Sequence, residues 1–433
     1  MQLVSNEGLL EKCLATIAAR EKEIKALLTI VKPENEQMAG TPFVVSDNLC
    51  TQGIKTTAGS RILNNFIPPY NAEVIDKVIA AGGLLLGKAQ VDEFGLGPDV
   101  EKQITANPRN LKTVPGGACG GSAAAVAAGE AVFALGSDLG GDLRQPAALC
   151  GLVGLKPTYG TVSRYGLMAA AASLEQVGCL TKGIKDCALI MSLLAGPDKK
   201  DANVSLKTNV DYTKFKTGDL QGLKIGIPWD YFQSAVAPEI ISGLQEVVTI
   251  LKEKGIECRE VSLPRKEVVE AVFQTILAAE VSSNLARYDG VRYGWQIGAE
   301  NIEEQFKKTR AAGLGKKVKE QILLGTYLLS EKQYEPYYLK ALKVRALIKA
   351  QLEEVLQSCE VLLLPTTTCP EFKFGEKEVE TGKFLTVLAN LSGLPALTLP
   401  WGIQGIQLLG RAFDEETLFR LGYFIELEGG RNE

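Results

Sequence analysis

Short apolar runs typical of strands alternate along the chain with segments of helical periodicity. Residues 6–20 carry apolar side chains at helical spacing, whereas residues 41–45 form a short apolar run typical of a buried strand. The segment 74–79 has one apolar helical face and follows Asn71, which is a predicted N-cap, and a further strand is predicted at 84–87. A helix between two apolar strands is the unit of an α/β sheet.

The second half of the chain repeats this alternation around a long helical segment. Residues 238–254 and 323–352 have helical periodicity, and we expect Pro336 to break the second of these helices. Further strands are predicted at 223–227, 256–263, 361–364, 396–399 and 406–409. We therefore expect an α/β fold in a single domain over residues 1–433, with a helical layer at about 265–355.

The composition is that of a globular protein of a reducing compartment. The hydrophobic fraction of 46% and the charged fraction of 23% lie near the globular averages. No apolar run reaches the roughly 18 residues of a membrane span, and the start lacks the pattern of a signal peptide. Nine cysteines without a C-x-x-C pair argue against a disulfide framework. We expect a cytoplasmic protein that does not enter a membrane.

Histidine is absent from the chain. This absence excludes a serine–histidine or cysteine–histidine hydrolase built from this chain alone. It also removes the commonest zinc ligand, and we expect no metal site. The net charge of −4 offers no general attraction for nucleic acid.

Residues 114–144 contain two glycine-rich turns, at 116–121 and 140–141, with a small-residue segment at 122–128 between them. Glycine turns bring backbone N–H groups close to a ligand. The alanine run predicts the start of a helix, whose first N–H groups face an anion favourably. The backbone pattern therefore predicts a pocket that holds a developing anion.

This stretch, with its continuation G-L-V-G-L-K-P-T-Y-G at 151–160, resembles the amidase signature family. Segments elsewhere are similar to one branch of that family, the A subunits of glutamyl-tRNA(Gln) amidotransferase, and they lie at 282–294, 323–329, 337–345 and 413–418. The resemblance implies the amidase signature fold, a central mixed β-sheet covered by helices on both faces.

In activity, the resemblance implies a glutamine-hydrolysing role within a larger enzyme. A serine attacks the amide carbonyl of glutamine, a second serine relays its proton to a lysine, and the second glycine turn holds the oxyanion. The ammonia passes to a B subunit, which converts Glu-tRNA(Gln) to Gln-tRNA(Gln) with ATP and Mg, while a C subunit braces the pair. This chain then needs no cofactor, meets tRNA only indirectly, and belongs to a cytoplasmic heterotrimer active in protein biosynthesis.

The three catalytic side chains that the resemblance implies are all replaced. The lysine position is Ser46, in V-V-S-D-N; the relay serine is Ala118, in G-G-A-C-G-G; and the nucleophile is Asp142, in D-L-G-G-D. Serine cannot serve as the base, and alanine cannot pass a proton. The remaining backbone forms vestigial oxyanion and glycine turns at Gly116, Gly117, Leu139, Gly140 and Gly141.

The resemblance also implies a vestigial substrate pocket at Tyr293, Arg345 and Lys383. Lys383 occupies the position of an aspartate expected to hold the substrate's α-ammonium. A buried charge without a partner is costly. We therefore hypothesise that the Asp142 carboxylate either folds onto the N–H groups of the glycine turn or pairs with Lys383.

Two functions follow from these substitutions. In the first, the chain is a pseudoenzyme that serves the amidotransferase as a scaffold or regulatory component. In the second, it is a functional amidotransferase A subunit, or another amidase, with a rearranged mechanism that uses Asp142 or the thiol of Cys119. A helix N-terminus next to Cys119 would favour a reactive thiolate. The plainer interpretation, a small residue filling the turn, is favoured because no histidine can activate this thiol.

Overall fold

The computed structural model describes residues 3, 7–32, 40–97, 104–206, 211–215, 220–375 and 382–429. Within these residues, eleven strands form one sheet in the order β1-β3-β2-β4-β6-β5-β10-β11-β9-β7-β8. The strands are β1 (Leu27–Ile30), β2 (Thr41–Ser46), β3 (Gly83–Ala89), β4 (Phe133–Asp138), β5 (Val153–Lys156), β6 (Gln176–Thr181), β7 (Lys224–Ile227), β8 (Glu257–Glu260), β9 (Val361–Pro365), β10 (Ala396–Trp401) and β11 (Gln404–Gly410).

The helices connect these strands and supply the remaining layers. They are α1 (Glu7–Ile24), α2 (Glu73–Ala80), α3 (Gly120–Ala128), α4 (Arg144–Cys150), α5 (Ile184–Leu194), α6 (Trp229–Phe232), α7 (Pro238–Glu253), α8 (Lys266–Asn284), α9 (Ile302–Gly313), α10 (Lys316–Leu328), α11 (Glu331–Gln333), α12 (Lys340–Ser358), α13 (Lys383–Ser392) and α14 (Glu415–Glu428). Helix α8 packs against α10, α12 and α13. No helix in the described ranges is long and apolar enough to cross a bilayer.

The sheet is mixed and is covered on both faces. Strand β2 runs parallel to β3 and β4, whereas β4 runs antiparallel to β6. Along β2, Phe43 and Val45 belong to one apolar cluster and Val44 to another, as the two-residue period of a strand requires. The mixed α/β sheet flanked by helices confirms the expected fold class.

Three local predictions differ from the structure. Asn71 does not cap α2, because its side-chain oxygen accepts the N–H of Gln52 and the N-cap residue is Ala72. Ile79, the last residue of the predicted buried face, is 46% exposed. The helix predicted at 323–352 is interrupted earlier than expected. Helix α10 ends at Leu328, and Pro336 lies within a π-helical turn, Tyr334–Leu339, that leads into α12.

Candidate active site at two glycine turns

The second glycine turn joins the end of β4 to the start of α4. It runs from Leu139 to Asp142 and carries its tightest contact at Gly141, whose φ is 111°. A side chain at this position would place its Cβ 2.5 Å from the Oγ1 of Thr386 in α13. Only glycine combines this left-handed conformation with such a close approach. The turn is therefore held against α13.

A buried ion pair anchors the turn. Arg144 is fully buried, and its Nε and Nη2 donate to the two carboxylate oxygens of Asp138 at 3.0 and 2.7 Å. The three remaining guanidinium N–H groups donate to the side-chain oxygens of Asn390 and Gln407 and to the backbone carbonyl oxygen of Thr386. Burial opposes ionisation of Asp138, but Arg144 outweighs it and holds the pKa of that carboxyl at about 2. The pair therefore stays charged and fixes the turn.

The carboxylate of Asp142 occupies the N–H groups of this turn. Its Oδ2 accepts the backbone N–H of Leu139 at 3.0 Å and that of Gly140 at 3.1 Å. Its Oδ1 accepts the N–H of Ala118 at 3.3 Å, so one carboxylate bridges both glycine turns. Of the two arrangements hypothesised from the sequence, the first is present in the structure.

Two charged neighbours act on Asp142 in opposite directions. Burial raises the pKa of its carboxyl, and the nearby charge of Asp138 raises it further. The charge of Lys383 and the N–H donors of the turn lower it, without cancelling the rise. Lys383 thus compensates Asp142 electrostatically, while the backbone N–H groups make the direct contacts.

The first glycine turn packs directly on the second. Gly117 has a φ of 59°, and a Cβ there would lie 2.6 Å from the ring of Pro146 in α4. The N–H of Cys119 donates to the backbone carbonyl of Asp142 at 3.2 Å. Helix α3 then begins at Gly120, as the alanine run predicts. Residue 142 therefore binds the first turn through its backbone as well as its side chain.

Ser46, at the end of β2, lies beside Cys119 of the first glycine turn. Both are buried, and the Cys119 thiol lies 3.8 Å from the Ser46 Oγ and 3.3 Å from the carbonyl oxygen of Ser137. Burial raises the pKa of the Cys119 thiol well above its usual range, and the charge of Asp142 adds to this effect. A neutral, enclosed thiol is a poor nucleophile, so burial argues against the reactive thiol at Cys119, which stays a prediction.

A further carboxyl group lies beside this centre and was not predicted from the sequence. Glu175 is fully buried and accepts the hydroxyl of Ser137 at 2.6 Å and the N–H of Ala170 at 3.1 Å. Ser137 in turn accepts the side-chain amide of Asn48. Burial raises the pKa of Glu175 to about 8, and the charge of Asp142 contributes. A single glutamate in an apolar segment carries no sequence signal of such a partner network.

The other residues of the predicted pocket have different neighbours. Arg345 donates to the carbonyl oxygen of Leu391 and to the hydroxyl and carbonyl of Ser173, so three of its N–H groups brace the protein itself. Tyr293 packs against the rings of Phe66 and Tyr288. Neither lines the cavity that contains Lys383. The structure thus brings together Ser46, Ala118, Cys119 and Asp142, and it places Tyr293 and Arg345 in separate contacts.

Chemically, the site holds a carboxylate of the protein on a set of converging backbone N–H groups, which is a set of donors suited to an anion. The N–H groups of Leu139 and Gly140 both donate to the Oδ2 of Asp142. The arrangement resembles an oxyanion hole with its own anion in place.

Comparisons with known proteins agree with this architecture. A family model described as Amidase matches residues 6–419. The A subunit of glutamyl-tRNA(Gln) amidotransferase from Desulforamulus reducens is 44% identical over an alignment of 433 positions, which covers 96% of this chain and 89% of that protein. Its counterpart from Carboxydothermus hydrogenoformans is 47% identical over 403 residues, or 90% of this chain and 83% of that protein.

A solved structure extends the likeness to three dimensions. The crystal structure of the A subunit of glutamyl-tRNA(Gln) amidotransferase from Thermotoga maritima matches with a TM-score of 0.84 and 36% identity, over 99% of this chain and 92% of that one. The family model, the sequence relatives and the shared fold all span nearly the whole chain. The chain therefore belongs to the amidase family.

Proposed function

We propose that this chain takes the place of the A subunit in a glutamyl-tRNA(Gln) amidotransferase, and that it does not itself hydrolyse glutamine. The observation that carries the proposal is the position of the Asp142 carboxylate. It accepts the N–H groups of Leu139, Gly140 and Ala118. An oxyanion formed in this pocket would have to displace a buried carboxylate from three donors.

The side chains around Asp142 support the loss of hydrolysis. A serine nucleophile needs a base within hydrogen-bond reach, and position 46 offers only a hydroxyl. Ala118 has no group that could relay a proton. In another serine hydrolase, loss of one catalytic residue lowers the rate by roughly 10^4- to 10^6-fold. A pocket without base, relay and serine retains at most a binding role.

The relatives support the place of the chain in an assembly. Proteins 42–47% identical over most of their length are named as the A subunit of the amidotransferase. We infer that the chain docks the B and C subunits as a scaffold or regulatory component. ATP and Mg would then be used by the B subunit, and tRNA would be reached through the partners.

A second candidate is an active amidotransferase A subunit with a rearranged mechanism. The names of the relatives favour this candidate over an inactive one, because each relative is named for the amidotransferase itself. The nucleophile would then be Asp142 or Cys119. The site geometry argues against both, since Asp142 is held by three N–H groups and the Cys119 side chain is buried.

A glutaminase assay separates the two candidates. Glutamate release is measured for the purified chain, alone and with B and C subunits, alongside a Cys119→Ala control. The first candidate predicts no release above a blank that contains the B and C subunits only. Release by the wild-type chain above that blank would refute the proposed inactivity, and its loss in the control would identify the thiol as the nucleophile.

Restoring the replaced side chains tests whether only the chemistry was lost. The triple variant Ser46→Lys, Ala118→Ser and Asp142→Ser returns base, relay and nucleophile together. We expect measurable glutamate release only when Lys383→Asp is added, because Lys383 compensates the charge at 142. The triple variant without Lys383→Asp is the matched control. Co-purification with B and C subunits tests the scaffold role separately.

A further inference from the structure

Glu130 is a buried carboxyl group that lies apart from the two glycine turns. It belongs to the turn between α3 and β4, and its exposed fraction is 0%. In the described part of the chain, no N–H group and no alcohol hydroxyl donates to either of its carboxyl oxygens. An ionised carboxylate without a donor is costly to bury. This carboxyl group therefore needs a proton of its own.

The neighbour of this carboxyl group is a second one. The carboxyl group of Glu21, near the end of α1, lies within hydrogen-bonding reach of that of Glu130. Two ionised carboxylates cannot bond to each other, because both only accept hydrogen bonds. One proton between them replaces this repulsion by a charge-assisted O–H···O⁻ hydrogen bond. One proton and one negative charge therefore suit the carboxyl pair of Glu21 and Glu130.

Glu21 also closes the turn that follows α1. Its Oε2 accepts the N–H of Ala26 at 3.0 Å, and its Oε1 accepts that of Leu27 at 2.8 Å. Both bonds cross Lys25, whose φ of 55° is left-handed and rare for a residue with a side chain. Hydrogen bonds of this kind favour the ionised form of a carboxyl group. The proton therefore belongs on Glu130 and the negative charge on Glu21.

The turn after α1 packs against the start of α3. A Cβ built on Gly121 would lie 2.7 Å from the carbonyl oxygen of Ala26 and 2.6 Å from the backbone nitrogen of Gln90. The N–H of Gln90 donates to the same carbonyl oxygen at 2.8 Å. Gly121 belongs to the first glycine turn. The turn that Glu21 closes therefore borders the candidate active site.

The charged groups around the carboxyl pair come from α1 and from the end of β6. Burial and then the charge of Glu21 raise the pKa of Glu130 to about 8, and Arg20 of α1 lowers it without cancelling the rise. Strand β2 contacts the same turn through the carbonyl oxygen of Pro42, which accepts the N–H of Val132, and it carries no charged side chain. The other ionisable groups nearby are Cys13 and Lys12 of α1 and Lys182, which follows β6.

We propose that the proton shared by Glu21 and Glu130 fastens the end of α1 to the turn between α3 and β4, and that its loss releases α1. With the proton in place, one hydrogen bond joins the two segments. Without it, two negative charges are in contact, and the end of α1 moves away so that Glu130 reaches water. This device goes beyond the proposed function and operates whether or not the chain hydrolyses glutamine.

The contact weakens as the pH rises. With α1 released, the carboxyl group of Glu130 is exposed and has its ordinary pKa of 4.5, whereas with α1 in place that pKa is about 8. Between these two values, release of α1 also releases one proton. Release therefore becomes up to about tenfold more favourable for each pH unit. Above about pH 8 both forms have lost the proton, and the effect levels off.

Amide hydrogen exchange of the full chain, followed by mass spectrometry, tests the proposal. The protection factor, which is the intrinsic exchange rate divided by the observed rate, is compared at pH 5.5 and 7.5 for peptides from α1 and α7. We expect protection of α1 to fall at least about tenfold between these pH values, and at pH 7.5 to lie at least about tenfold below that of α7. Equal protection of α1 and α7 would show that the pair stabilises the whole fold and does not release α1.

Glu130→Gln keeps a neutral donor beside Glu21 at every pH. In this variant, protection of α1 should change by less than about twofold between pH 5.5 and 7.5, because no proton is released. Glu23→Gln is the matched control, since Glu23 lies in α1, is exposed, and loses the same charge. It should retain the fall of at least about tenfold seen in the wild type.

Circular dichroism confirms that each variant is folded, and the wild-type measurement is decisive without any variant. A wild-type change in α1 of less than about twofold would overturn the proposal. An equal fall in Glu130→Gln and the wild type would overturn it as well, because the proton would then come from another group.

Discussion

Replacing Asp138 by asparagine removes one charge from the buried ion pair that anchors the second glycine turn. Both side chains are inaccessible to solvent, so water cannot replace the carboxylate as the partner of Arg144. The substitution also replaces one accepting oxygen of the carboxylate by an NH₂ group, which is a donor. In the wild type, each carboxylate oxygen accepts a guanidinium N–H and a backbone N–H, from Gly141 on one side and Leu143 on the other. The amide of asparagine offers only one accepting oxygen.

Two estimates bound the loss of stability. The pKa of Asp138 is about 2, against 3.8 for an unperturbed aspartate. At 1.36 kcal/mol per pKa unit, ionised Asp138 stabilises the folded state by about 2 to 3 kcal/mol more than neutral Asp138 does. Asparagine also sets an NH₂ group against existing donors and leaves the guanidinium charge unpaired. Breaking a buried ion pair in this way costs about 3–5 kcal/mol. We therefore expect Asp138→Asn to lower the free energy of unfolding by about 3–5 kcal/mol.

Urea unfolding followed by tryptophan fluorescence measures this loss as a change in the free energy of unfolding. The matched control is Glu303→Gln, which breaks the ion pair with Lys307. Both side chains of that pair are more than 70% exposed. The control should change the free energy of unfolding by no more than about 0.5 kcal/mol. If Asp138→Asn loses less than about 1 kcal/mol, or no more than the control, the ion pair does not anchor the turn.

Three further predictions concern titration and reactivity. Folding depresses the pKa of Asp138 to about 2, so the stability that its carboxylate contributes is complete above about pH 4 and is lost as the pH falls toward 2. In Asp138→Asn, this part of the decrease in stability with falling pH should be absent. Burial, and then Glu21, raise the pKa of Glu130 to about 8, from 4.5. The wild type should therefore lose stability as the pH rises from about 4.5 to 8, and Glu130→Gln should reduce that slope in melting temperatures; an unchanged slope would contradict the assignment. Iodoacetamide should modify Cys119 at least about tenfold more slowly than the half-buried Cys369, as counted by mass spectrometry, because burial keeps the Cys119 thiol protonated; faster labelling of Cys119 would favour the active candidate.

The strands predicted from the sequence are short runs rich in apolar or β-branched residues. The runs at 41–45, 361–364 and 406–409 all lie in strands of the sheet. Three strands in the middle of the sheet, β4, β5 and β6, were not predicted. They carry glycine or polar residues such as Ser137, Asp138 and Gln176, which mask an apolar pattern. These residues are buried because distant partners satisfy their hydrogen bonds, as Glu175 does for Ser137.

The sequence by itself determined that no histidine of this chain can take part in catalysis. It contains no histidine, and the resemblance predicts that Ser46, Ala118 and Asp142 stand in place of a lysine and two serines, which stays a prediction. It also predicted two glycine turns around an anion, because glycine spacing is a local property of the backbone.

Only the tertiary structure decided which groups meet at the site. The contact of Asp142 with Ala118, the bracing role of Arg345, and the convergence of Lys317 and Lys383 near Gly97 all join distant segments of the chain. Such contacts depend on how β4, α10 and α13 pack together, and packing depends on complementary shape that no local pattern encodes. The sequence predicted an anion pocket occupied by the Asp142 carboxylate. The tertiary structure decided that backbone N–H groups bind this carboxylate, while Lys383 lines a separate cavity.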